Sequence, residues 1–339
     1  MATVEDIGID LGSTNVLIYA KDRGIVLNEP AMLAFDYDAR NVIAIGTDAY
    51  KILGREPSHI EVVRPLQSAV IRDFDMLNIM LNHFITLVIG KRFISRPRAV
   101  LSISCMANEI EKRQLNLAML EAGARRTTLL PRPLAAAIGA GINVLPHVGH
   151  LVVDIGGANT HAAAIASGEI MAESAEINGG DAFTDAIIRY VRLKYSLLIG
   201  FKTAEDVKCA VGNLKEIGET EVTIPVAGRS LVTGLPKQIS LSPSEITEAL
   251  NEPKRNFIEA LIGVIEHLPA QLANDVFDNG IVLTGGGANL KGLRLVMEEE
   301  LKAPCFVADH PQEAVASGCG YVLERPQELS MFLGDKRSK

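Results

Sequence analysis

The sequence of 339 residues predicts an α/β protein made of two similar halves. Strand-like segments alternate with helix-like segments along the chain, which is typical of α/β folds. Two stretches read almost alike, IGIDLGSTNVLIYA near the start and LVVDIGGANTHAAAI in the middle. A third glycine-rich turn, in LTGGGANL, follows another apolar run. The restart of one pattern in mid-chain indicates a duplicated unit.

Composition bounds the class of protein. With 48% hydrophobic and 22% charged residues, the chain can bury a sizeable core. A net charge of −8 argues against a general nucleic-acid binder, whose footprint is basic. The start, MATVEDIGIDLG, has no basic-then-apolar signal, and no run of ~18 apolar residues occurs. We therefore expect a soluble protein of the cytoplasm.

In the first half, short strands precede a series of helices. The strands are predicted at Ile7–Asp10, Val16–Tyr19, Ile25–Val26, Ala31–Phe35 and Arg98–Cys105, and the helices at Met76–Ile89, in NEIEKRQLNLAMLEAGA and in the Ala-rich segment after LLPRP. Gly123 is the predicted stop of the second of these helices.

The second half starts again with a strand, a turn and a strand over Leu151–Ile165. Helices are predicted over Gly179–Tyr195, in TAEDVKCAVGNL with Thr203 as its N-cap, and in SPSEITEALNEPKRNFIEALIGVIEHL. EVTIPVAG and PKQISLS are predicted strands of a small sheet, and GIVLTGGGANLKGL is a predicted strand, glycine turn and helix.

The repeated acidic turn suits phosphate binding. Glycine lets the backbone approach a ligand, and successive N–H groups of such a turn form a concavity for phosphate oxygens. A carboxylate that ends the preceding strand can hold Mg²⁺ through its waters. A tight hairpin that simply needs glycine is the structural alternative for any one turn. The Rossmann fingerprint and the P-loop, the motifs of two competing nucleotide folds, are absent from the sequence.

Three motifs carry a family resemblance. DLGSTN at Asp10–Asn15, DIGGAN at Asp154–Asn159 and TGGGA at Thr284–Ala288 resemble, in order and spacing, the phosphate and adenosine turns of the actin/Hsp70/sugar-kinase superfamily. GIVLNEPAMLAF, EAGARRTTLLPRPLAAAIGAG, TAEDVK and VTGLPKQISLS are similar to MreB, the rod-shape-determining family of bacterial actin homologues. The resemblance runs from Ile7 to about Leu323.

The resemblance implies an actin-like (duplicated RNase H-like) fold with two lobes, four subdomains and a central nucleotide cleft. The implied division is subdomain IA at 1–32, 75–146 and 311–335, IB at 33–74, IIA at 147–181 and 238–310, IIB at 182–237, and a tail at 336–339. It also implies ATP or ADP with Mg²⁺ as cofactors.

Site residues follow from the same resemblance, position by position. It implies that the nucleotide is bound by Ser13, Thr14, Asn15, Gly156, Gly157, Ala158, Glu205, Asp206, Val207, Lys208, Gly285, Gly286, Gly287 and Ala288, with Asp10 and Asp154 around the hydrated Mg²⁺. For Glu205 and Lys208, a solvated ion pair one helical turn apart is an equally good interpretation of the residues themselves.

The chain departs from the family where water is activated. Pro131 and Arg132 stand in place of two family glutamates, and the second turn carries Ala158, Asn159 and His161 in place of Gly, Thr and Glu. A guanidinium cannot accept a proton from water, so Arg132 and Asn159 mark a degenerate hydrolysis site. We expect weak or lost ATPase activity, so enzyme status stays open. His161 is the candidate substitute, and weakened nucleotide binding is a further alternative.

A cationic loop suggests a membrane contact. In GKRFISRPRAV, Phe93 and Ile94 lie between lysine and arginine residues, which suits an anionic membrane surface. The alternative is that both side chains pack under the helix at Met76–Ile89. Repetition of one weak loop along a filament would strengthen binding by avidity.

The sequence therefore predicts a membrane-associated bacterial cytoskeletal protein that binds ATP and forms filaments organising cell shape and cell-wall synthesis. Expected partners are further copies of the chain, the inner face of the cell membrane and membrane proteins of the cell-elongation machinery, without nucleic acid. Alternatives are a non-polymerising paralogue that modulates a true filament former and a small-molecule kinase of the same superfamily.

Overall fold

The structure is a computed structural model that describes residues 6–67, 70–90, 96–215 and 223–333. The chain divides into two compact units. The first contains Met1–His147, Ile165–Ile170 and Ala308–Lys339, and the second contains Val148–Ala164 and Met171–Val307.

The described residues of the first unit form short strands and helices before the chain enters the second unit. The strands are β1 (Ile7–Leu11), β2 (Asn15–Ala20), β3 (Gly24–Pro30), β4 (Leu33–Asp36), β5 (Asn41–Ile45), β6 (Ile60–Val63), β7 (Leu66–Gln67), β8 (Val70–Ile71), β9 (Arg98–Ile103) and β10 (Arg126–Pro131). The helices are α1 (Thr47–Ile52), α2 (Phe74–Ile89), α3 (Glu109–Glu121) and α4 (Arg132–Gly139).

A five-stranded sheet forms the centre of this unit, in the order β10-β9-β1-β2-β3. β1 pairs antiparallel with β2 and parallel with β9, which in turn pairs parallel with β10. β1 has no exposed residue, because its apolar run is covered on both faces. Two smaller sheets, β5-β4-β6 and β7-β8, complete the strands.

Local signals explain the ends of α2 and α3. The Asp73 carboxylate accepts from the Met76 amide at 3.0 Å and caps α2. Asn108 and Glu111 form a reciprocal capping box at the start of α3. Gly123 has a φ of 105° just after α3, which confirms its predicted role as the stop of that helix.

The second unit repeats this arrangement. Its strands are β11 (His150–Ile155), β12 (Asn159–Ala166), β13 (Glu169–Asn178), β14 (Leu197–Leu198), β15 (Ile224–Ser230), β16 (Pro236–Leu241), β17 (Ile281–Thr284) and β18 (Cys305–Val307). Its helices are α5 (Gly180–Tyr195), α6 (Phe201–Val211), α7 (Pro243–Ala249), α8 (Asn251–Glu266), α9 (Ala270–Asn279) and α10 (Leu293–Leu301).

The central sheet of the second unit has the order β13-β12-β11-β17-β18, with β11 parallel to β17 and β17 parallel to β18. In this sheet β11 has β12 and β13, the next two strands of the chain, on one side and the later parallel strands β17 and β18 on the other. In the first unit β1 has β2 and β3 on one side and β9 and β10 on the other. The shared topology confirms the predicted duplication and the α/β class of the fold. A small sheet, β14-β15-β16, adjoins α5 through β14.

The chain returns to the first unit for α11 (Ala314–Glu324), which packs on α4 with almost no side chain between the two backbones. A Cβ atom added to Gly139 would lie 1.7 Å from the Ala314 carbonyl oxygen. A Cβ atom added to Gly318 would lie 1.9 Å from the Ala135 carbonyl oxygen. Glycine is therefore required on both helices. We did not predict α11, because small residues and glycines weaken its helix signal.

One predicted helix start was wrong. α6 begins at Phe201 after Gly200, so Thr203 lies inside the helix and does not cap it. The predicted helix also extended too far at its C-terminal end, because α6 ends at Val211 and Gly212 lies outside the helix.

The half-buried carboxylate of Glu245, in α7, joins this helix to α5. Glu245 accepts from the Ser242 amide at 2.9 Å, from the Tyr195 hydroxyl and from the Lys194 ammonium at 2.9 Å. Burial works to raise the pKa of Glu245, but these three donors outweigh it and lower the pKa to about 2.

Among the described residues, no helix is both long and apolar enough to cross a membrane. Phe93 and Ile94, the predicted membrane residues, lie outside the described residues.

We predict that Gly139→Ala destabilises the first unit by about 1–3 kcal/mol, because the new methyl group forces the two helix backbones apart. Gly263→Ala is the control, since a Cβ at that helical position meets nothing within 4 Å. This variant should gain about 0.5–1 kcal/mol from helix propensity. Urea denaturation followed by circular dichroism measures both, and equal effects of the two substitutions would contradict the close approach.

The Glu245 contacts predict a pH-dependent stability. A lowered native pKa means that the contribution is complete above the unfolded-state value of 4.5 and is lost as the pH falls toward about 2. Glu245→Gln should therefore lose about 1–2 kcal/mol at pH 7, and its deficit relative to wild type should narrow below pH 4.5. Glu259→Gln, on an exposed face of α8, should show no such trend. A deficit that is constant with pH would contradict the assignment.

Candidate functional site

The first predicted phosphate turn is a tight hairpin between β1 and β2. The Gly12 amide donates to the Asn15 carbonyl oxygen at 3.1 Å. A Cβ atom at Gly12 would lie 2.7 Å from that same oxygen, so the turn requires glycine. The structural reason for the glycine is therefore sufficient by itself, and a ligand has to be argued from other atoms.

Thr14 supplies such an atom. Its carbonyl oxygen accepts from the Ala31 amide at 2.8 Å, which holds the turn against the start of the next segment. Its hydroxyl is buried and finds no hydrogen-bond partner within the described part of the chain. A buried hydroxyl without a partner is costly, and a phosphate oxygen at the turn would satisfy it.

The strongest contact near this turn joins Asp10 to Arg132. The two guanidinium NH groups donate to the two carboxylate oxygens at 2.5 and 3.2 Å, a bidentate pair. The Asp10 side chain is 5% exposed and the Arg132 side chain 14%. Ser102 donates its hydroxyl to Asp10 at 3.0 Å and accepts from the Leu11 amide at 3.3 Å. The carboxylate is thus neutralised and held by three donors.

Sheet topology explains why these residues meet. β1, β9 and β10 run parallel and side by side, so their carboxyl ends lie at one edge of the sheet. Asp10 and Ser102 come near the ends of β1 and β9, and Arg132 begins α4 directly after β10. Arg132 therefore lies beside Asp10 and the first turn.

The second predicted phosphate turn has the same local geometry. The Gly156 amide donates to the Asn159 carbonyl oxygen at 3.0 Å, and a Cβ at Gly156 would lie 2.8 Å from that oxygen. Asp154 takes the place that Asp10 has in the first turn, but it is fully buried and accepts from the Thr284 hydroxyl at 3.0 Å. The two turns are alike in backbone and different in the partners of their carboxylates.

The N-terminus of α5 orients the peptides of the second turn. The amides of Gly179, Gly180 and Asp181 donate to the carbonyl oxygens of Ala158, Gly156 and Gly157 at 3.0, 2.9 and 2.8 Å. In a planar trans peptide the N–H group points opposite to the C=O group. The N–H groups that follow these three carbonyls therefore point away from α5, as a phosphate-binding turn requires.

Lys208 ties α6 to α5 beside this turn. It is 9% exposed, and its ammonium donates to the Gly180 carbonyl oxygen at 2.9 Å and to the Thr184 hydroxyl at 2.9 Å. It also pairs with Glu205 at 2.7 Å, and Thr184 donates to the same carboxylate. The alternative of a solvated Glu205–Lys208 pair is wrong, because Lys208 is buried and bonded to another helix.

The third glycine turn packs on the second. Gly285 has a φ of 81°, and a Cβ there would lie 2.4 Å from the Ile155 carbonyl oxygen. A Cβ at Gly287 would lie 2.3 Å from the Ile155 side chain. The same turn is joined to the segment after α6 by the Leu214 amide, which donates to the Lys291 carbonyl oxygen at 2.9 Å. These contacts bring the third turn, α6 and the second turn into one neighbourhood of the second unit.

The degenerate positions fall in two environments. Arg132 holds Asp10, as described, whereas His161 lies buried in β12 at 4% exposure. Asn159 begins β12 and closes the second turn through its carbonyl oxygen. Burial of His161 favours packing over a role in water activation, and the catalytic assignments themselves stay predictions.

The side chains present do not fit the predicted Mg²⁺ at Asp10 and Asp154. An ion held through water needs a carboxylate with open lone pairs and an unbalanced negative charge. Both oxygens of Asp10 accept from a guanidinium, and Asp154 is fully buried. In the described part of the chain, no group of three or more His, Cys, Asp or Glu residues could hold a metal.

Sequence reasoning assigned no role to three polar residues that organise the site: Ser102, Thr184 and Thr284, the last of which opens the TGGGA motif. Each donates its hydroxyl to a carboxylate of the predicted site, at Asp10, Glu205 and Asp154 respectively. A polar residue inside an otherwise apolar strand, as in RAVLSISC and GIVLT, was the signal for two of them.

We predict that Lys208→Met destabilises the second unit by about 2–4 kcal/mol, because it leaves Glu205 and the Gly180 carbonyl oxygen without their cation. Lys202→Met, at an exposed position of the same helix, should change stability by less than about 0.5 kcal/mol. Thermal denaturation measures both. Equal melting temperatures of the two variants would show that Lys208 does not hold α6 to α5.

Comparison with known proteins agrees with this architecture. The family model described as MreB/Mbl protein matches residues 4–331. The cell shape-determining protein MreB of Escherichia coli K12 is 42% identical over 335 residues, which cover 97% of this chain and 95% of that protein.

Two solved structures are similar in fold. MreB5 of Spiroplasma citri bound to AMPPNP matches with a TM-score of 0.90 and 31% identity, covering 98% of this chain and 99% of that one. A chain of the MamK double helical filament matches with a TM-score of 0.77 and 18% identity, covering 94% and 98%, which shows the fold alone. With a family model and a 42% identical relative that span almost the whole chain, this protein belongs to the MreB/Mbl family of actin-like proteins.

Proposed function

We propose that this protein is a nucleotide-binding cytoskeletal protein that forms filaments at the cytoplasmic face of the cell membrane and helps to organise cell shape and cell-wall synthesis. The observation that carries the proposal is the buried hydroxyl of Thr14 at the first turn, which finds no hydrogen-bond partner among the described residues and which a phosphate oxygen would satisfy. Membership in a family of cell shape-determining proteins supports the role.

Nucleotide binding is supported from both units. The first unit offers the turn Ser13–Asn15 with the unpartnered hydroxyl of Thr14. The second offers three peptides whose N–H groups face away from α5. A relative of the same family was solved with AMPPNP. We therefore propose ATP and ADP as ligands, in the four-subdomain arrangement that the sequence predicts. Mg²⁺ is left out, because neither Asp10 nor Asp154 fits it.

The filament proposal rests on family and fold. Head-to-tail contacts between identical chains need not close into a ring, and they then give filaments. An actin-like chain that is similar in fold to this one forms a double helical filament. We propose that this protein likewise assembles with copies of itself.

The membrane proposal rests on sequence. Phe93 and Ile94 combine apolar side chains with neighbouring cations, which favours insertion at an anionic lipid surface. Membrane proteins of the cell-elongation machinery are the partners that this location would provide.

Hydrolysis is the part of the function that we propose to be weak or lost. Positioning of the attacking water is one of the few contributions that a protein makes to phosphoryl transfer. Arg132 has no lone pair with which to orient that water, and it is engaged with Asp10.

We predict that the purified protein binds ATP, pellets with anionic liposomes and releases phosphate about 10²–10⁴-fold more slowly than Escherichia coli MreB assayed beside it. Phosphate release, sedimentation and electron microscopy of the same sample test the three parts. Neutral liposomes are the control for the membrane contact.

Arg132→Glu, which supplies a carboxylate at the degenerate position, should raise phosphate release while pelleting persists. Release at the Escherichia coli rate by the wild-type protein would contradict the assignment of Arg132. Failure to bind nucleotide or to pellet under any of these conditions would contradict the proposed function itself.

A further inference from the structure

The Asp10–Arg132 pair changes the charge of the proposed phosphate site. Asp10 lies two residues before Gly12 of the first turn, so an unneutralised carboxylate there would repel the polyphosphate of a nucleotide. A divalent cation is the usual means of screening such repulsion. In this chain, a guanidinium that is always protonated already neutralises Asp10 through two hydrogen bonds.

We propose that Arg132 is a built-in replacement for the divalent cation at Asp10, so that this protein binds nucleotide equally well with and without Mg²⁺. The inference rests on the nucleotide binding proposed above and adds its metal requirement. Arg132 is here a specificity-determining residue, because it selects which ionic form of the nucleotide the site accepts.

Geometry holds the guanidinium in this role. Arg132 begins α4, and α4 is fixed against α11 by the backbone contacts at Gly139 and Gly318. The Ser102 hydroxyl fixes Asp10 from the other side at 3.0 Å. The pair is therefore pre-organised, and little side-chain freedom remains to be lost when a ligand binds.

The same pair opposes a metal ion. A hydrated Mg²⁺ at Asp10 would have to displace two charge-assisted hydrogen bonds from a carboxylate that is 5% exposed. It would also lie next to a permanent positive charge, at a distance where cations repel strongly in a partly buried site. The remaining predicted ligand, Asp154, is fully buried and bonded to Thr284. A divalent ion that is bound to the nucleotide in solution would therefore form no additional favourable contact with Asp10 or Asp154.

The experiment compares the affinity of the whole protein for a non-hydrolysable ATP analogue in buffer with Mg²⁺ and in buffer with a chelator. Isothermal calorimetry gives the dissociation constant, and the thermal shift at saturating analogue gives a second readout that needs no catalysis. We expect the two dissociation constants of the wild-type protein to agree within about threefold.

Arg132→Glu reverses the charge beside Asp10 and creates a pair of carboxylates. We expect its affinity for the analogue to fall by about tenfold or more in the chelator and to recover when Mg²⁺ is added. Arg125→Glu makes the same change of net charge at an exposed position between α3 and β10. It should behave as the wild type does, which separates a local effect at Asp10 from a change of overall charge.

Three outcomes decide the matter. Metal-independent binding by the wild type, with metal dependence gained in Arg132→Glu, supports the inference, and the wild-type comparison stands even if that variant fails to fold. Binding by the wild type only when Mg²⁺ is present overturns the inference and leaves the proposed function intact. No binding in either buffer overturns both.

Discussion

The contact between the backbones of α4 and α11 is the constraint on which the first unit depends. With no room for a Cβ atom at Gly139 or Gly318, the two helices lie at a fixed separation. The start of α4 is thereby fixed as well, and with it the position of Arg132 beside Asp10 at the edge of the central sheet. A packing requirement between glycines thus determines the electrostatics of the proposed phosphate site.

Both units use the same turn and complete it with different chemistry. In the first unit a guanidinium neutralises the carboxylate at the strand end. In the second unit the carboxylate of Asp154 is buried and accepts a hydrogen bond from Thr284. The nearby buried cation, Lys208, does not pair with it in these contacts but joins α6 to α5. The two units share one backbone conformation of the turn, and a hairpin of this shape needs glycine whatever its function. The side chains around the two copies differ, because nothing in the backbone of the turn fixes them.

How far the sequence could predict the site is clear at particular residues. The glycines of the turns were recognisable because two stretches repeat the same order of apolar, acidic and small residues. Arg132 was recognisable as a departure from the family, but its partner was not, because Asp10 is far away in the chain and only parallel pairing of β1, β9 and β10 brings them together. Lys208 was open to two interpretations for the same reason. Its spacing from Glu205 suits a solvated pair, and only the position of α5 buries it.

The sequence by itself determined the class of fold, the duplication, the order of most strands and helices and the family, because these depend on local patterns and on motifs that repeat. It did not determine α11, whose small residues give a weak helical signal but allow two backbones to touch. The sequence also did not determine which charged side chains form ion pairs with one another. Tertiary structure decided that, because an ion pair such as Asp10–Arg132 forms between residues that only the folded sheet places at one edge.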